Sequence, residues 1–217
     1  MFDQKIKRIG FCCKYLEQDQ TQKPKILKEK QQHYTERTTT VAWCKRQDNK
    51  VAEDKLLELV THNMQSAYNL VEWVGTELPA ERRMVRLGSN QIPMATEPNY
   101  RYVWDDPDTI RMSEEGFGKI GQLARDLDVR ISFHPGQFCV LASDKDDVVE
   151  RSIDEFEYHA NMARWMGYGQ EWMDMKLNVH ISGRQGYQGI INILPKLSPE
   201  ARNTIAIEND EMCWGLD

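Results

Sequence analysis

Five short apolar runs, near residues 8, 84, 130, 177 and 204, are separated by longer stretches, most of which repeat their apolar residues at intervals of three and four. A run of that length between turn signals reads as a buried strand, and the longer period reads as an amphipathic helix. Strand and helix in alternation imply a parallel sheet, because parallel neighbours need a crossover between them. The clearest helix covers Ala52 to Val74, through Leu56, Leu59, Val60, Met64, Ala67, Leu70, Val71 and Val74, starting near Glu53-Asp54 and ending at Gly75; His62 on it is read as a surface or cap residue. Others are expected from Ser113, as the capping hydroxyl, to Leu127, from Asp146 to Met166, and briefly from Ile190 to Leu197. The polar stretch Glu17 to Arg37 reads as a long, mobile connection. Its lysines at 23, 25, 28 and 30 form either a solvated face or one turned to phosphates.

Three of the strand-like runs end on a residue able to hold a metal. Val129 to His134 stops at His134 before Pro135-Gly136, Lys176 to His180 stops at His180, and Thr204 to Ile207 delivers Glu208. Taken singly, each histidine is more often structural. Their repetition at strand ends matters, because barrel enzymes keep their chemistry at the C-terminal ends of parallel strands. Imidazole and carboxylate suit manganese, zinc or iron, and a carboxylate can bridge two ions. Such ions suit phosphodiester hydrolysis: one activates water and another steadies the leaving oxygen. The expected fold is α/β, a TIM (β/α)8-type barrel of which this sequence holds the first five βα units. A closed barrel needs eight units and typically about 250 residues, so residues 1–217 read as one barrel-like domain cut short at its C-terminal end.

Composition excludes several classes. A net charge of −6 and a pI near 5.5 argue against a protein that simply coats nucleic acid, although a cleft or bound ions can supply local positive charge. Five cysteines without a C-x-x-C pair argue for reduced thiols and against a zinc ribbon. Gly183, Gly186 and Gly189 lack the Lys-Ser/Thr of a phosphate loop. No apolar run approaches the roughly 20 residues that span a bilayer, and the N-terminus lacks a signal-peptide pattern. The expected location is the cytoplasm of a microbe, or of its host if the gene is phage-borne.

The sequence resembles the UV damage endonucleases, distant relatives of the endonuclease IV group. The likeness is carried by Val85-Arg86-Leu87-Gly88-Ser89-Asn90 with Pro93, by Phe133-His134-Pro135-Gly136-Gln137-Phe138, by Glu157-Tyr158-His159 with Met166-Gly167, by Asn178-Val179-His180 with Gly183, and by Ile207-Glu208-Asn209-Asp210. It implies a TIM barrel that nicks double-stranded DNA on the 5′ side of pyrimidine dimers and related photoproducts. The implied cofactor is a cluster of two or three Mn2+ ions, other divalent metals fitting the same donors, and no obligate protein partner or membrane is implied. By position His134, His180 and Glu208 are ligands, with Glu208 the bridge. Gln137 and Phe138 match the pair pushed into the duplex at the lesion, and Phe11, Tyr15, Arg86 and Asn90 lie where DNA contacts are expected. The chain departs from the family at Phe138 and Phe11, where Tyr is usual, and at Tyr15, where Asn is usual. Glu97 stands near the place of a family histidine and is a further candidate ligand, while His159 is read as supporting the ligands from behind. The family's remaining ligands belong to strands six to eight, beyond this sequence. Two other readings use the same residues: a module that binds damaged DNA without cutting, and a sugar isomerase-like barrel. Gln137-Phe138 after His-Pro-Gly favours DNA.

Overall fold

Five parallel strands carry the fold in the computed structural model, which describes residues 7–17, 21–136 and 138–208. They are β1 (Phe11–Cys12), β2 (Met84–Leu87), β3 (Arg130–Phe133), β4 (Lys176–His180) and β5 (Ile205–Glu208), hydrogen-bonded in that order. Strand order therefore follows chain order, and the sheet is parallel as the alternation predicts. Among the described residues β1 and β5 remain the two ends of the sheet, so the observed architecture is a parallel five-stranded α/β fold. Eight helices intervene: α1 (Pro24–Gln32), α2 (Val41–Cys44), α3 (Asn49–Glu77), α4 (Arg101–Trp104), α5 (Pro107–Asp126), α6 (Asp146–Trp165), α7 (Gly186–Ile193) and α8 (Pro199–Thr204), counted among the described residues.

Among the described residues the contacts fall into two compact units, one of residues up to 93 with 119–131, the other of 94–118 with those from 132 on. In the first, α3 lays a stripe of Leu56, Leu59, Val60, Ala67, Leu70, Val71 and Val74 into the core, each almost wholly removed from water. Burying one such large aliphatic side chain contributes roughly 1.5–3 kcal/mol, so the stripe explains why this helix forms. Gly75 does not stop it. A Cβ there would stand 2.6 Å from Leu127 Cβ, so glycine serves close packing and the helix runs on to Glu77.

In the second unit α6 packs against β4 and α8. Phe133, Phe156, Met162, Met166 and Leu177 fill its interior, and Phe117 stacks on Trp165 at 6.0 Å.

Several sequence-based boundaries move. α5 begins at Pro107, not Ser113: Asp106 Oδ1 accepts from the amides of Asp108 and Thr109 at 3.0 and 3.1 Å, and proline favours the first helical position. Ser113 is instead buried in mid-helix, donating to the Thr109 carbonyl at 2.8 Å. The stretch expected to be a mobile connection contains α1, started by Pro24, and the loop after β2 contains α4. β1 is shorter than its apolar run, and α7 starts at Gly186, ahead of Ile190. α8 was not foreseen: a polar six-residue helix capped by Ser198 Oγ, which accepts from Ala201 N at 3.2 Å.

Candidate metal centre

The second unit gathers the three strand-end ligands. β4 and β5 pair in a register that sets His180 opposite Glu208, the last described residue of β5. β3 pairs with β4 through Ser132–Lys176 and Phe133–Leu177, bringing His134 out of β3 beside them. The rings of His134 and His180 have centroids 5.0 Å apart, and His134 Nε2 lies 3.5 Å from Glu208 Oε2. One ligand atom from each of the three lies within 4.8 Å of the others. His134 Nδ1 is 2.7 Å from the Pro135 carbonyl oxygen. A carbonyl only accepts, so Nδ1 donates to it and Nε2 is the nitrogen turned toward the group. Two imidazoles and a carboxylate, all partly exposed, form a donor set for a divalent transition metal.

The support behind His134 is dry. Phe133 is fully buried and meets the His159 ring edge-on at 5.8 Å. His159 is itself buried on α6, with Nδ1 2.7 Å from the Glu155 carbonyl and 3.7 Å from the Glu155 carboxylate. The Thr96 hydroxyl donates to Glu155 Oε2 at 3.2 Å. Burial raises the Glu155 carboxyl above its ordinary range, an effect the Thr96 bond partly offsets. The neighbouring Cys139 thiol is pushed up to about 12 by burial and then by Glu155, and it donates to the Ser152 carbonyl.

A carboxyl that holds its proton more tightly when folded favours the folded state below its ordinary value of 4.5 and loses that advantage as pH rises through the raised one. Glu155→Gln imitates the protonated form and keeps an acceptor for Thr96. Its melting temperature should therefore exceed that of the parent at neutral pH and converge with it below 4.5. Melts in which the variant is the less stable protein at neutral pH would contradict this.

The first unit builds a second set of side chains where β1 and β2 end. Phe11 meets Trp73 edge-on at 6.3 Å, and Tyr15 lies 4.5 Å from Tyr34 and 5.0 Å from Trp73. Arg86 is half-buried on β2, and Asn90 is exposed three residues beyond it. Asn90 donates from its backbone and side-chain nitrogens to Glu36 Oε1 at 3.3 and 3.4 Å, and Gln91 Nε2 donates to Glu36 Oε2 at 2.7 Å. Glu36 also sits directly on Gly88, where a Cβ would fall 2.3 Å from Oε1. Burial raises this carboxyl, against the opposing pull of its three hydrogen bonds.

The buried Asn63 amide ties the same pieces together, donating to the carbonyls of Arg37 at 2.8 Å and Asn90 at 2.9 Å while accepting from Arg37 N. Sequence reasoning missed both Glu36 and Asn63. The one available signal was an asparagine interrupting the apolar stripe of α3.

The remaining expected site residues are separate. Glu97 is half-buried, accepts from Asn99 Nδ2 at 2.5 Å, and is not in the three-residue group among the described residues. Phe138 is 83% exposed, a ring held out in water. Gln137 lies outside the described residues. His62, read as a surface or cap residue, is half-buried, with Nε2 3.2 Å from both the Thr35 carbonyl and the Ser66 hydroxyl.

Compared with known proteins, residues 8–217 match the family described as UV-endonuclease UvdE. The chain belongs to that family. Among curated UvdE relatives, a UV DNA damage endonuclease of Bacillus mycoides (strain KBAB4) is 26% identical over 184 residues, 82% of this chain and 54% of the relative. One from Clostridium perfringens (strain 13 / Type A) is 26% identical over 171 residues, 76% of this chain and 39% of the relative. The crystal structure of SacUVDE superposes with a TM-score of 0.65 at 28% identity, covering 82% of this chain and 57% of that one. The chain thus spans about half the length of the curated UvdE proteins it matches. Both sets of strand-end residues fall within the part that matches the family.

Proposed function

We propose that this chain belongs to a metal-dependent DNA repair endonuclease that cleaves the phosphodiester bond 5′ to UV lesions, acting in the cytoplasm on double-stranded DNA. The observation that carries the reading is the convergence of His134, His180 and Glu208 within 4.8 Å in a chain of the UvdE family. In this proposal the sheet is five-eighths of one TIM barrel. His134 and His180 would hold the metal through imidazole nitrogens and Glu208 through its carboxylate. Mn2+ is the proposed metal, which would polarise the scissile phosphate and lower the pKa of bound water. His159 would fix the His134 strand from behind through Phe133. Phe138, already exposed, and Gln137 would fill the space left when damaged bases turn out of the stack, and damaged bases cost less to extrude than intact ones. Phe11, Tyr15, Arg86 and Asn90 would face the DNA, with Glu97 reserved as a further ligand. No described helix is long and apolar enough to cross a membrane.

The test is incubation of the full-length, Mn2+-loaded protein with irradiated and unirradiated duplex. Nicking confined to the irradiated strand is the expected result, and its absence with metal bound would end the enzyme reading. Lesion-selective binding without nicking would favour the alternative of a recognition module.

A further inference from the structure

We infer that α1 and the residue before it form a phosphate-gripping arm over the strand exits of the first unit, with Lys23, Lys25 and Lys28 as its contacts to the DNA backbone. The inference rests on the reading of the chain as a DNA-binding protein and adds to it a surface outside the expected lesion contacts.

Three observations support it. The first is charge. Residues 21 to 35 hold four lysines and one glutamate in a chain whose net charge is −6, and the first turn of α1 carries no acidic residue. Elsewhere several described cations are held by carboxylates: Arg8 by Asp128, Lys50 by Asp54, Lys55 by Glu58, Arg101 by Asp154 and Arg151 by Asp147. Lys23 and Lys28 make no ion pair with a described residue, and Lys25 reaches Glu29 only at 4.0 Å while 88% exposed.

The second is placement. The segment from Tyr15 to Glu36 is pinned at both ends to the place where β1 and β2 finish. Glu17, five residues past β1, pairs with Lys30 at 3.4 Å, and Tyr15 packs on Tyr34. Glu36 sits on Gly88, the first residue after β2, and takes hydrogen bonds from Asn90 and Gln91.

The third is footing on α3. Ser66 Oγ donates to the Gln32 carbonyl at 3.4 Å and Asn69 Nδ2 to the His33 carbonyl at 3.1 Å, so the C-terminal end of α1 is fastened. Its lysines, all exposed, face water. A fastened helix on a segment of net positive charge in an acidic protein, at the end of the sheet where Arg86 and Asn90 emerge, matches a polyanion that must pass that end. Fixed cations against phosphates give sequence-independent binding whose strength falls with salt.

The experiment measures binding of an undamaged, fluorescently labelled duplex as a function of salt for the full chain. Each lost phosphate contact lowers the slope of log affinity against log salt by about 1. Lys23→Ala/Lys25→Ala/Lys28→Ala should therefore reduce the slope by about 3, while the corresponding triple arginine variant keeps it. Lys50→Ala/Lys55→Ala, which removes lysines already engaged with carboxylates, should change it by less than about 1. An unmoved slope in the triple alanine variant overturns the inference, as does an equal loss in the control. Wild-type binding to phosphatidylserine vesicles, with the duplex slope unmoved by the substitutions, would assign the arm to a membrane surface and overturn it too. Nicking is not read in this experiment. A chain that binds with the expected slope but fails to nick would remove the endonuclease reading and leave the arm standing.

Discussion

Glu208→Gln should lose more than about 100-fold of lesion-dependent nicking while its affinity for irradiated duplex stays within about twofold of wild type. Outer partners of metal ligands already cost roughly 10- to 100-fold when removed, and Glu208 is placed in the ligand group itself, 3.5 Å from His134 Nε2 and paired in register with His180. The amide keeps the shape and one oxygen. It loses the negative charge that draws a hard divalent ion and that allows one carboxylate to hold two of them. DNA affinity is supplied mostly by phosphate contacts, so it should survive. A gel assay for nicks with an anisotropy titration on the same duplex separates the two quantities. Near-normal cleavage by the variant would remove Glu208 from the metal centre, and a parallel collapse of binding would mean that it serves the groove.

Phe133→Ala should be the most destabilising of the changes considered, by about 3–5 kcal/mol. The ring is fully buried at the end of β3, with His159 set edge-on against it. Nothing nearby can close the gap cheaply, because the Phe133 backbone is held in the sheet by its pairing with Leu177. For a protein of this size each kcal/mol shifts the melting temperature by roughly 2–4 °C, which gives a fall of about 6–20 °C by calorimetry. A fall under about 2 °C would mean the site collapses around the missing ring. His134 is the next residue, so the variant should also bind Mn2+ more weakly in a direct titration.

Much of this was legible because it is periodic. The five strands and the α3 and α6 stripes follow from apolar spacing, and His134, His180 and Glu208 stood out by ending their runs. What escaped lies outside such patterns. The Glu36–Asn90 hydrogen bond joins residues 54 apart, and nothing in a Thr-Glu-Arg-Thr stretch marks its glutamate as the acceptor for a distant turn. α8 is short and polar, held by a cap and by packing on α6. The start of α5 was misjudged because Ser113 offered a plausible cap while Asp106-Pro107, a better one, sat inside a proline-rich stretch that read as loop. Gly75 was misjudged because a glycine needed for close packing looks the same in sequence as one that ends a helix.

The pairing of β4 with β5 makes the candidate centre sensitive to length in a way it is not sensitive to composition. Leu177, Asn178, Val179 and His180 meet Ile205, Ala206, Ile207 and Glu208 one to one, and side chains alternate faces at every step. A single-residue deletion within either strand would turn its ligand to the opposite face. Descendants of this gene can exchange one aliphatic residue for another along these strands, but the count of residues before His180 and Glu208 is fixed, and insertions are confined to the loops.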